Sequence, residues 1–215
     1  MNCCEKISVF HIIYIADAAA AMFCCRRGRI CLRRSCLKRI CFKRIIEDYA
    51  IIEHSAGEIL IRANEVLCDN NQADMFVTVW LGILEISTGK LTAANAGHEY
   101  PTIQKKDGLF ELIKDKHGFV IGGMPGLRYK EYTLQMEPGD KIFVYTDGVP
   151  EATAASGEMF GPERMTEALN SCADDNPYEI LQKVKNSVDT FVGDAEQFDD
   201  LTMMCLEYKG PQPRT

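Results

Sequence analysis

A chain of 215 residues, 47% of them apolar, is long enough for one domain with a sizeable core. Its apolar runs all fall short of the ~18 residues that a membrane-spanning helix needs. The start, MNCCEKISVFHIIYIAD, has neither a basic leading region nor a cleavage site, so no membrane span and no signal peptide are expected.

The net charge of −7 conceals an asymmetry. Residues 1–46 carry ten Lys/Arg against two Asp/Glu, a local charge of +8, while the remainder carries 14 against 29, a charge of −15. Cysteine divides the same way: seven of ten lie before residue 42, leaving Cys68, Cys172 and Cys205 in the rest. Without a secretory signal they read as reduced thiols of a cytoplasmic protein. Cys31, Cys36 and Cys41 lack the paired spacing of a zinc site. Nucleic acid is not an expected partner, because the body of the chain is strongly acidic.

In chain order, the β-branched run Ile7–Asp17 predicts a buried strand that ends in an acid. Nine basic residues follow between Arg26 and Arg44 with no acid among them. Like charges at i,i+4 weaken a helix, so Ala18–Arg44 is expected to be the least ordered part of the chain. SAGEILIRANEVLCDN is a cleaner helix. Ser55 and Glu58 suit a capping box, and Ile59, Leu60, Ala63 and Leu67 fall on one face. Apolar runs separated by STGK and KKDG then predict a meander of strands. YKEYTLQM alternates, EPGD turns, and KIFVYTDG follows, which predicts a second antiparallel pair with a tight connection. After Gly148 the pattern is helical. Pro162 suits a first turn, and Asn176 and Pro177 suit the N-cap and N1 of a helix with Ile180, Leu181, Val184 and Val188 on one face. The last strand lies in FDDLTMMCLEY. The divisions expected are an atypical segment 1–50 with one core strand, a domain over 51–208, and a tail over 209–215.

Acids sit at the strand ends. Asp147 closes one apolar strand, Asp17 closes another, and Asp199 and Asp200 open a third. Rigid strands can bring such carboxylates together above one sheet edge. Clustered carboxylates repel one another unless a cation offsets them. Hard divalent cations with oxygen ligands suit that task.

In this order NAGHEYP, GGMPGLRY, YTDGVPEA and FDDLT resemble the stage II sporulation protein E type of bacterial serine/threonine phosphatase, from about Ser55 to Tyr208. That family is a branch of the metal-dependent phosphatases that include protein phosphatase type 2C. The resemblance implies an α+β fold, an antiparallel β-sandwich flanked by helices (αββα). It implies hydrolysis of phosphoserine or phosphothreonine in a regulatory partner, of the anti-sigma-factor antagonist type, by water activated on two Mn²⁺ or Mg²⁺ ions. Carried over, Asp147 with Gly148 of YTDG and Asp199 of FDDLT are metal ligands, and Asp200 is their neighbour. Asp17 matches the aspartate that bridges both ions, and His98 of NAGH is the candidate to orient the site or protonate the leaving oxygen.

The chain also departs from the family. A Gly-Gly-Asp-Phe-Tyr-Asp segment is expected upstream of the Asp17 strand and is not in this sequence, and AAAAMF stands where Ser-Gly-Lys-Gly is expected after it. The domain is therefore expected to be incomplete or degenerate at its N-terminus. The alternative function is a catalytically inactive phosphatase-like domain that binds a regulatory partner.

Overall fold

A computed structural model describes residues 10–17, 46, 48, 49, 55–69, 76–195 and 200–211, with the backbone alone for 10–17. The elements in chain order are β1 (Phe10–Asp17), α1 (Ala56–Asp69), β2 (Thr78–Glu85), β3 (Lys90–Ala96), β4 (Thr102–Gln104), β5 (Phe110–Leu112), β6 (Glu131–Gln135), β7 (Lys141–Tyr145), α2 (Gly161–Asn170), α3 (Pro177–Val192) and β8 (Met203–Glu207). The strands form two antiparallel sheets, ordered β1-β2-β3-β6 and β5-β4-β7-β8. The basic stretch between Ala18 and Arg44 lies outside the described residues.

Strand periodicity explains the layering. On β2, Val79, Leu81 and Ile83 face one core and pack with Ile59, Leu60 and Ala63 of α1. Trp80 and Leu84 point the other way, into a core shared with Ile142 and Val144 of β7. On β7, Phe143 and Tyr145 turn to a third core with Met165 and Leu169 of α2 and Ile180, Val184 and Val188 of α3. Strands covered on both faces read as continuous apolar runs, which is why KIFVY is buried throughout. The result is helix, sheet, sheet, helix, the α+β sandwich expected from the sequence. Gly82 gives the middle layer its room. A Cβ there would stand 2.6 Å from Cη2 of Trp80, so the indole fills the space a side chain would take.

Two expectations need correction. The EPGD turn does not join a hairpin: β6 pairs with β3 in one sheet, and β7 pairs with β4 and β8 in the other. Residues 136–140 are a crossover between sheets. Asp140 fixes it, accepting hydrogen bonds from the backbone N–H of Lys106 (2.8 Å) and Glu137 (2.9 Å) and pairing with Lys105 Nζ (2.8 Å). Lys105 and Lys106 follow β4, so Asp140 holds the chain to the second sheet. At α1, Ser55 Oγ caps the Glu58 N–H at 3.1 Å, as expected. The carboxylate that meets this helix start is that of Glu131 on β6, which accepts from the Gly57 N–H (2.9 Å) and the Ser55 hydroxyl (2.8 Å). At α3, Asn176 caps the Glu179 N–H as expected.

Candidate active site

Each sheet carries an acid at or just beyond a strand end, Asp17 in the first and Asp147 in the second. In the first sheet the last residue of β1, Asp17, pairs with Thr78, the first of β2. Thr78 Oγ1 lies 3.0 Å from Nδ1 of His98, just beyond β3. His98 is buried, and its Nε2 is shut off from solvent. β1 forms an edge of this sheet, not its centre.

Asn95 builds the loop that carries His98. Its Oδ1 accepts the His98 N–H (2.8 Å), while its Nδ2 donates to the His98 carbonyl (3.1 Å) and lies 3.3 Å from Asp115 Oδ2. The Asp115 carboxylate is buried and faces His117 Nδ1 at 3.4 Å. The Asn95–His98 bonds close the turn that carries the chain from β3 across to β4 in the second sheet.

In the second sheet, β7 runs through Thr146 to Asp147. Thr146 is buried and binds the segment that opens β8 through backbone and hydroxyl. Its N–H donates to the Thr202 carbonyl (3.0 Å), its Oγ1 donates to the Asp200 carbonyl (3.2 Å), and the Thr202 N–H donates to Oγ1 (3.2 Å). Asp147 is half-buried with Oδ1 shut off from solvent, and its carbonyl accepts the Glu151 N–H at 2.9 Å. At Gly148 a Cβ would stand 2.6 Å from the Asp200 carbonyl oxygen, so only glycine lets the two backbones touch. Asp200 is exposed; Asp199 lies outside the described residues.

Glu99 joins the two halves. Burial and then the charge of Glu151 push its carboxyl above the usual range, with His117 opposing them. Glu99 in turn acts, after burial, to raise the Tyr145 hydroxyl. Glu99 lies in the short connection from β3 to β4, whose Thr102 pairs with Phe143 of β7, so the end of β3 lies near the end of β7. The sequence motifs named Asp147, Gly148, Asp200 and His98. They did not name Thr78, Asn95, Glu99, Thr146 or Glu151, which position or surround them. Asn95 and Thr146 could have been found, as a polar residue heading the NAGH turn and a hydroxyl preceding the strand-end acid.

Among the described residues no three His, Cys, Asp or Glu side chains form a metal cluster. The side chain of Asp17 and all of Asp199 fall outside that description. The donors that are described, on Asp147, Gly148 and Asp200, are all oxygens. Such an all-oxygen donor set, with the Asp147 carboxylate in it, fits a hard divalent cation.

The sequence profile of the stage II sporulation protein E family matches residues 40–209. Protein IcfG of Synechocystis is 32% identical over 141 residues, which is 66% of this chain and 22% of that protein. Phosphoserine phosphatase RsbU of Bacillus subtilis is 28% identical over 157 residues, 71% of this chain and 45% of that protein. This chain thus spans less than half the length of either relative. Among solved structures, the SiaA-PP2C domain of Pseudomonas aeruginosa superposes with a TM-score of 0.73 at 18% identity, over 93% of this chain and 79% of that one. With the profile covering most of the chain and the sandwich matching in three dimensions, the chain belongs to the stage II sporulation protein E family.

Proposed function

We propose that this chain is a metal-dependent protein serine/threonine phosphatase domain over residues 51–208, preceded by an atypical segment 1–50 and followed by a tail over 209–215. Its substrate class is a phosphoserine or phosphothreonine in a regulatory partner protein of the anti-sigma-factor antagonist type, in the cytoplasm. The observation that carries this reading is the contact of the Asp147–Gly148 turn with the Asp200 backbone at the end of the second sheet.

Asp17, Asp147, Asp199 and the Gly148 carbonyl would hold Mn²⁺ or Mg²⁺, with Asp200 beside them. Bound there, such ions would acidify a water for attack on the phosphoester and offset phosphate charge. The chain's own residues fix where this happens. Thr146 and Gly148 set Asp147 against β8. Thr78 and Asn95 hold His98, whose burial suits it to orient the end of the first sheet. Glu99 and Glu151 add negative charge at the rim, which disfavours a second anion next to the phosphate and favours basic groups on the partner.

A second reading, a binding domain without turnover, is favoured by AAAAMF after Asp17 in place of a glycine-rich loop. One assay separates the two. The purified chain should hydrolyse a chromogenic phosphate ester and a phosphoserine peptide with Mn²⁺, and chelation should stop it. Mn²⁺ binding without turnover on either substrate would select the binding domain.

A further inference from the structure

The carboxylates proposed above come from separate strands, and something must hold those strands at a fixed spacing. We propose that Thr146 is the positioning residue of the metal site, its hydroxyl setting the distance between the Asp147 turn and the backbone of Asp200 and Thr202. This rests on the proposed function for the metal and on geometry for the residue.

The hydroxyl sits between two backbones. It donates to the Asp200 carbonyl at 3.2 Å and accepts the Thr202 N–H at 3.2 Å. The Thr146 N–H reaches the Thr202 carbonyl at 3.0 Å, so one residue makes three bonds to the chain that opens β8. The strand ladder between β7 and β8 stops at Tyr145 and Met203. Beyond it Thr146 carries the pairing one step further, to Thr202 and the Asp200 backbone. Serine could make the hydroxyl bonds; valine, of the same shape, could make neither. Being buried, the side chain has no route to a substrate and acts through its neighbours. Gly148 enforces the same spacing sterically, because a methyl there would meet the Asp200 carbonyl oxygen at 2.6 Å.

The test is Mn²⁺ binding by the full chain, followed by electron paramagnetic resonance of free Mn²⁺, alongside thermal melting. Thr146→Val should fold and weaken Mn²⁺ binding about tenfold, equivalent to about 1.4 kcal/mol. Thr146→Ser should bind as the parent does. Gly148→Ala keeps every Thr146 bond donor yet forces the segments apart, and it should lose affinity by at least as much, so it carries the test if Thr146→Val does not fold. Parent-like Mn²⁺ affinity in Thr146→Val or in Gly148→Ala overturns the positioning role and leaves the metal reading intact. A parent chain that binds no Mn²⁺ overturns both.

Discussion

Two aspartates bracket β7, and their surroundings assign them opposite work. Asp140, before the strand, is buried, and its carboxylate is met by Lys105 and the N–H groups of Lys106 and Glu137. Burial alone would raise its carboxyl, but these partners outweigh burial and hold it below the usual range. A depressed folded-state value means that Asp140 stabilises the fold above the unfolded value near ~3.9 and loses that contribution as pH falls through the folded value. Asp140→Asn should therefore lower the unfolding free energy from urea titration at pH 7 by about 1–3 kcal/mol. The gap to the parent should shrink on acidification below pH ~4. A gap that stayed constant into acid would remove Asp140 as its source. Asp147, after the strand, opens the turn in which its carbonyl accepts the Glu151 N–H, and it is the group proposed to hold a cation. Asp147→Asn preserves shape and removes charge. It should leave the melting temperature near the parent's while Mn²⁺-dependent hydrolysis falls by more than the roughly 10–100-fold that loss of a group behind a ligand costs. A variant that kept parent turnover and parent Mn²⁺ dependence would exclude Asp147 as a ligand.

At the scale of elements, the sequence made existence and type legible but not partnership. The capped helix at Asn176, the STGK and KKDG turns and the acid-ended strand at Asp147 are all local, and all are present. A period of two tells which residues form a strand, but not which strand lies beside it. EPGD therefore looked like a hairpin turn. What sends β7 into the other sheet is the pairing of Asp140 with Lys105 and Lys106, which are distant in sequence. The start of α1 teaches the same lesson: Ser55 was legible as a cap, while Glu131 was not, because it arrives from β6. In the site, the acids could be read because each sits in a motif. Asn95 binds the backbone of His98, three residues on in the same motif, whereas Thr146 binds backbone at 200 and 202 that only the folded chain brings near. Glu131→Ala should remove a cross-element cap and cost about 0.5–2 kcal/mol. The ellipticity melt should fall to match, with the loss of turnover confined to temperatures where the variant unfolds. A melt that did not change would mean that Ser55 alone secures the helix.

Across the whole molecule the layers share strands, and this should make them unfold together. β2 supplies Val79, Leu81 and Ile83 to the core under α1 and Trp80 and Leu84 to the core between the sheets. β7 supplies Ile142 and Val144 to that middle core and Phe143 and Tyr145 to the one under α2 and α3. Neither outer layer can leave without exposing the other face of a strand that the middle core needs. Trp80, the single tryptophan, is fully buried in that middle core, with Nε1 donating to Tyr132 Oη at 2.8 Å. Its emission therefore reports the contact between the sheets, while ellipticity reports the helices and strands together. In urea the two signals should change at one midpoint, the mark of a single cooperative transition. Ile142→Ala opens a cavity beside the probe without removing it and should cost about 2–5 kcal/mol. Both midpoints should move down by the same amount. If the Trp80 emission shifted at lower urea while ellipticity kept the parent midpoint, the sheets would separate before their helices melt, and the shared strands would not couple the layers.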